Sequence, residues 1–351
     1  MNLLGSILFG VIVNLLPILT RKLRPQEMYT FRALSRSIGR EHSKISTSIH
    51  KLSWVSFVAA SQQTDACTPN RWHPHYQSRR TLILEPLGSE YVKLQKLDGS
   101  DSGIVEVTLD RPKNKNAIDT KLMRGLKYVL ELIHQDSSAN VAIFTSSVPR
   151  VYCAGADLKE RKTFSASEVR EYSKALRATF SYLEALPIPT IAAVEGAALG
   201  GGLELALACD FRICGEDALL GLPETGHAII PGAGATRRLP RLINKAIAKD
   251  LVLTGRRVGG REAESLGLAN YCVPAGEAYS KALEVARVIN EKGPIAIKAG
   301  KRAIEEGLLV SDPEEAADLE EECYEMTLNT KDRLEGLAAF VEKRKPIYKG
   351  H

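Results

Sequence analysis

The chain has 351 residues, 44% hydrophobic content, 47 basic against 42 acidic residues and a net charge of +5. These values exclude a disordered tail and a polytopic membrane protein, and they leave room for one large or two medium domains. A surplus of +5 is also too small to announce nucleic acid as a partner.

Residues 1–20 form an apolar, charge-free run that Asn14 and Pro17 interrupt, with basic residues only afterwards at Arg21, Lys22 and Arg24. A secretory signal would carry its charge ahead of the run, and a spanning helix needs about 20 apolar residues. A single N-terminal anchor and translation beginning at Met28 therefore both stay open. Between Met28 and Gln63, Arg32, Arg36 and Arg40 recur every four residues opposite Phe31, Leu34 and Ile38, among eight serines and the single acid Glu41. That is the pattern of a mitochondrial transit peptide, with a merely disordered basic tail as the alternative. It predicts delivery to the mitochondrial matrix. Residues 1–80 hold eleven basic and three acidic side chains, a surplus of +8, so residues 81–351 carry −3. Residues 1–80 are expected to be leader and linker, followed by a catalytic core over 90–274 and a helical region over 275–351.

From residue 90 the chain alternates strand, turn and helix. Ile104–Leu109 alternates as a half-buried strand, and Asp110-Arg111-Pro112 turns the chain. Asp119 is placed to cap a helix carrying Leu122, Leu126, Leu130 and Ile133 on one face. Val141–Thr145 is the next strand. Ser165 to Glu168 forms a capping box opening a helix through Val169, Tyr172, Leu176, Phe180 and Leu183, which Pro187 and Pro189 stop. Ile191–Val194 and Phe211–Cys214 are further strands, with a short helix from the Gly200–Gly202 run to Cys209 between them. After Pro274 only helices are predicted, over 278–290, 294–306 and 313–329. The order points to an α/β domain with strands wrapped by helices.

The six cysteines show no CxxC and no framework spacing, so they are expected to be free thiols. Four of the seven histidines precede residue 76 and the others are isolated, so no metal site is expected.

Three segments carry chemistry. In Leu199 to Ala208, Glu204 sits among leucines and alanines, where a carboxylate is costly unless it is hydrogen-bonded, protonated or useful. It is the first candidate for a general base or acid, and the glycines before it leave backbone N–H groups uncovered for an oxyanion. The plainer alternative is a glycine turn that allows close packing. In Gly221 to Gly226, Glu224 follows Pro223 in a tight loop, and two such glutamates suit an acid/base pair acting on one water. In Cys153 to Asp157, small residues leave the N–H of Ala154 open to a ligand, although an ordinary turn explains the segment equally well. Gly232 to Arg237 lacks the third glycine and preceding strand of a dinucleotide site; GK[ST] and G-x-S-x-G patterns are absent.

Taken together, RPKNKNAI (111–118), CAGADLKE (153–160), the 189–213 segment, GLPETGHAIIPGAGAT (221–236) and GLAAFVEKRKPIYK (336–349) resemble the enoyl-CoA hydratase/isomerase, or crotonase, family. The resemblance extends over about 90–350, in family order, and is strongest to plant mitochondrial hydratases and methylglutaconyl-CoA hydratases. It implies a crotonase-like α/β spiral of repeated strand–strand–helix turns with a C-terminal helical oligomerisation region, assembled as a homotrimer or hexamer. It also implies water addition to a trans-2-enoyl-CoA in fatty acid or branched-chain amino acid breakdown, with no cofactor beyond the coenzyme A of the substrate. Glu204 and Glu224 match the catalytic glutamates, and Ala154 and Gly201 match the oxyanion donors. Arg111, Asn116, Ala117, Ala156, Asp157, Leu158 and Lys343 match coenzyme A contacts. The chain departs from the usual Gly-Gly-Thr-Gln at Gly234-Ala235-Thr236-Arg237, which places a methyl and a charge near the acyl pocket.

Methylglutaconyl-CoA hydration is the alternative within the family, and RNA binding the alternative from another class. The latter needs a basic stripe, and the predicted helix over 119–136 offers only Lys121, Arg124 and Lys127 on a body of charge −3.

Overall fold

The computed structural model describes residues 87–351. The expected leader and linker, residues 1–80, lie outside the described residues. Strands β1 (Leu87–Gly88), β2 (Val92–Lys96) and β3 (Ile104–Leu109) form an antiparallel start. Helix α1 (Thr120–Gln135) follows, capped by Asp119, whose carboxylate accepts from the Leu122 N–H at 2.7 Å. Its face of Leu122, Leu126, Leu130 and Ile133 is buried as its spacing predicts.

Two strands and two helices come next: β4 (Val141–Ser146), β5 (Val151–Cys153), α2 (Leu158–Arg161) and α3 (Ala166–Glu184), the last opened by the Ser165 to Glu168 capping box. Another such turn gives β6 (Thr190–Val194), β7 (Ala197–Leu199) and α4 (Gly201–Leu207). A third gives β8 (Phe211–Gly215), β9 (Leu219–Gly221), α5 (Ala235–Leu242) and α6 (Lys245–Thr254). Then come β10 (Arg257–Gly259), α7 (Gly260–Ser265), β11 (Tyr271–Val273) and the helices α8 (Ala278–Asn290), α9 (Pro294–Gly307), α10 (Pro313–Leu328) and α11 (Lys331–Glu342).

Each turn gives its long strand to one sheet and its short strand to another. The first sheet runs β1-β2-β3-β4-β6-β8-β11, the second β10-β9-β7-β5. Strands β4 and β6 are buried on both faces, which is why they read as unbroken apolar runs. One face packs under α1 and α3; the other, with Ile143, Ile191 and Ile213, packs under Ala278, Ala282 and Ala286 of α8. Helix α8 therefore closes the core, and the boundary expected at 274/275 cuts through a packed body. The separate helical layer begins at Pro294. Lys301 of α9 ties it back, its ammonium 2.7 Å from Asp210, itself bound to the Thr190 N–H at 2.7 Å.

Candidate active site

Strands β5, β7 and β9 are short, parallel neighbours in the second sheet. All three chemistry-bearing segments leave their C-terminal ends: Ala154-Gly155-Ala156 after β5, Gly200-Gly201 after β7, and Leu222-Pro223-Glu224 after β9. Loops at the carboxyl ends of parallel strands commonly build binding sites. Here they wall a cleft of about 280 Å³, lined also by Leu158, Leu176, Ile229 and Ile230.

Glu204, in the first turn of α4, is 2% exposed. One of its oxygens, Oε1, accepts from the backbone N–H groups of Ala233 at 2.8 Å and Ala235 at 3.0 Å. Burial pushes its carboxyl above the ordinary carboxylate range, while those two donors and the nearby Arg238 charge pull it back. The glycine-rich 232–235 segment is therefore a cradle for a carboxylate of the protein itself. Arg238, 5% exposed, braces that cradle by donating to the Ala233 carbonyl at 3.0 Å while paired with Glu184 at 2.8 Å.

Glu224 sits in the 3-10 turn Pro223–His227. Its Oε2 is buried with no hydrogen-bond partner. Burial, and secondarily the charge of Glu204, raise its carboxyl to about 7. Gly200, at φ 53°, lies beneath it: a Cβ there would stand 2.9 Å from Glu224 Oε1, so the left-handed backbone and the close approach both favour glycine. Two carboxylates thus share one cleft in unlike surroundings, one gripped by backbone donors and one bare. That contrast lets one act as base and the other as acid.

Comparison with known proteins fits this geometry. Residues 99–351 match the family model described as Enoyl-CoA hydratase/isomerase. The chain belongs to that family. It is 60% identical over 275 residues to probable enoyl-CoA hydratase 2, mitochondrial, of Arabidopsis thaliana, covering 78% of this chain and 91% of the relative. It is 42% identical to mouse (Mus musculus) methylglutaconyl-CoA hydratase, mitochondrial, covering 80% and 91%. Among solved structures, enoyl-CoA hydratase from Bacillus anthracis matches with a TM-score of 0.72 at 44% identity, over 75% of this chain and all of that one. The fold is the α/β crotonase fold.

Within that fold, one expected donor moves. The Ala154 N–H is not open: it donates to the Lys115 carbonyl at 3.1 Å. The N–H of Ala156, two residues on, makes no hydrogen bond among the described residues, and neither does that of Gly201. The two residues lie close together, since a methyl on Gly201 would lie 3.5 Å from the Ala156 nitrogen. Sequence reasoning placed the open N–H on the wrong alanine because the pairing of residue 154 with residue 115 is a tertiary contact.

Several expected coenzyme A contacts are committed inside the protein. The Arg111 guanidinium pairs with Asp119 at 2.9 Å and Asp157 at 2.8 Å and donates to the Ala117 carbonyl at 2.7 Å. Asn116 is fully buried, donating to Ser146 at 2.8 Å and accepting from the Arg111 N–H at 2.7 Å. Asp157 additionally caps α2. These three side chains are held chiefly by partners within the protein and shape the loop. Ala156 and Leu158 line the cleft; Lys343, the C-cap of α11, does not. Ala235 is fully buried at the Glu204 cradle, whereas Arg237 turns outward to Glu184, so only the methyl of that departure stands beside Glu204.

Proposed function

We propose that the protein catalyses reversible syn addition of water to a trans-2-enoyl-CoA, giving a 3-hydroxyacyl-CoA. The observation that carries this is the pair Glu204 and Glu224, differently held, facing a cleft with two unclaimed backbone N–H groups. In this mechanism the thioester carbonyl oxygen lies between the Ala156 and Gly201 N–H groups, which stabilise enolate character as it develops; such a donor is typically worth about 2.7–4 kcal/mol. Glu204 takes a proton from water as its oxygen bonds to the β-carbon, and Glu224 gives its proton to the α-carbon. Water in the cleft then returns the pair to its starting protonation. A double-bond isomerase can work with one carboxylate, so two acids in such unlike surroundings favour hydration.

The mitochondrial names of the relatives and the arginine and serine pattern of residues 28–63 support a matrix location. N-terminal sequencing of the organelle-purified protein tests it. For the chemistry, purified protein is expected to consume the enoyl absorbance of crotonyl-CoA, and Glu204→Gln or Glu224→Gln to lower kcat by a hundredfold or more, about the span that general acid–base groups contribute. Turnover that survives in both variants would remove the assigned roles.

A further inference from the structure

The two glutamates of the cleft differ in what stands behind them. The N–H groups of Ala233 and Ala235 that grip Glu204 Oε1 belong to the turn into α5, and Ala235 is the first residue of that helix, where the macrodipole favours a negative charge. Arg238, one turn on, encloses this turn. Its own N–H donates to the Gly234 carbonyl at 2.9 Å, and its guanidinium Nη1 to the Ala233 carbonyl at 3.0 Å. The guanidinium also fills the space beside Gly234, where φ is 121° and a Cβ would stand 2.1 Å from Nη1.

The remaining guanidinium nitrogens are fixed from the end of α3. Glu184 accepts from Nε at 3.0 Å and from Nη2 at 2.8 Å, a two-pronged contact that sets the plane of the guanidinium. Arg238 is 5% exposed and does not line the cleft, yet its charge favours the carboxylate form of Glu204. Glu224 has no comparable clamp on its Oε2. The other titratable and charged groups around the cleft are Arg161 and Tyr172 from α2 and α3, and Glu224, His227 and Arg257 from the turn after β9 and from β10.

We infer that the clamp of Arg238 on Glu184 decides which glutamate is the base: by holding the Ala233 and Ala235 N–H groups on one oxygen of Glu204 and keeping a cation behind it, Arg238 positions Glu204 to take the proton of water. This deepens the hydratase reading above and rests on it. Arg238 is a positioning residue, acting through the 233–235 turn. Its removal frees the Ala233 carbonyl and takes a positive charge from behind Glu204, so the Glu204 carboxyl keeps its proton to higher pH. A base works only when deprotonated, so the acidic limb of the kcat/KM profile moves up with it.

Arg238→Met leaves Glu184 with Arg237 as a partner. With crotonyl-CoA it is expected to lower kcat about tenfold or more while KM changes little, and to move the acidic limb up by about half a pH unit or more. Arg238→Lys keeps the charge without the fork and should restore the limb while recovering only part of kcat. Arg237→Gln removes a neighbouring charge that reaches Glu184 but not the turn, and should stay within about twofold of wild type. An acidic limb unmoved in Arg238→Met overturns the inference, as do a loss confined to KM and an Arg237→Gln variant impaired as much as Arg238→Met. Should Arg238→Met fail to fold, Arg238→Lys with the kcat of wild type overturns it. Carbon-13 NMR of the Glu204 carboxyl, assigned by its loss in Glu204→Gln, follows the same titration without substrate: the midpoint should rise in Arg238→Met, and an equal midpoint overturns the clamp. A raised midpoint in a protein whose wild type hydrates no enoyl-CoA would remove the hydratase reading and leave the clamp on Glu204 standing.

Discussion

Burial of a carboxyl whose Oε2 has no hydrogen-bond partner favours the neutral form of Glu224. Its carboxyl rises from 4.5 to about 7, so the folded protein binds that proton more tightly than the unfolded chain. The stability linked to it is fully present below about 4.5 and is lost as pH rises through about 7. Glutamine resembles the neutral form. Glu224→Gln is therefore expected to melt at a higher temperature than wild type at pH 8, with the gap closing toward pH 4.5. Melting temperatures across that range check it; a gap independent of pH would mean that the carboxyl's charge is not the cause. A group that loses stability at working pH and remains in place is the usual mark of a functional acid. Both candidate glutamates were legible in the sequence because a carboxylate in apolar surroundings stands out. Their contrasting surroundings were not, since Ala233 and Ala235 reach Glu204 from about thirty residues away.

At the scale of elements, the site depends on how closely α4 approaches β5. The backbone of Gly202 packs against that of Cys153: a Cβ on Gly202 would stand 2.1 Å from the Cys153 carbonyl oxygen. No side-chain movement can relieve a clash with backbone, so the helix or the strand must shift. Gly202→Ala is expected to destabilise the fold by about 3 kcal/mol or more, in the range of severe packing defects, with the denaturation midpoint as the measurement. A variant as stable as wild type would show that the two backbones are less tightly packed. The long elements β3, α1, α3 and α8 were predicted nearly to the residue, because each carries a full period or a cap. Strands β5, β7 and β9, three residues each, were missed as elements, since three residues show no alternation. Yet those strands gather the site.

At the scale of the molecule, the helices α9 to α11 bury little of their apolar surface within one chain. Phe340 is 83% exposed, Leu308 79% and Val341 78%. Exposed apolar surface of this extent marks an interaction face, which suits the self-association that the family resemblance implies. Phe340→Glu is expected to shift the protein to a smaller species in sedimentation while leaving its circular dichroism unchanged; an unaltered mass would place the contact elsewhere. The helix before them, α8, shows why the boundary expected at 274/275 does not divide two packed bodies. Composition marks where strands stop, but α8 packs on the sheet through alanines 278, 282 and 286, and their small size lets helix and sheet approach closely.

The sequence by itself determined the family, the order of strands and helices, the two acids and the division between a basic N-terminal segment and a mildly acidic body. These are written in local patterns: periodicity, caps, charge counts and residues out of keeping with their neighbours. Only the tertiary structure decided which backbone N–H groups stay unbonded, Ala156 rather than Ala154, and which charged side chains already hold partners, as Arg111 does. A hydrogen bond or an ion pair is made once, and whether a group still has one to give depends on partners that the chain brings together only by folding.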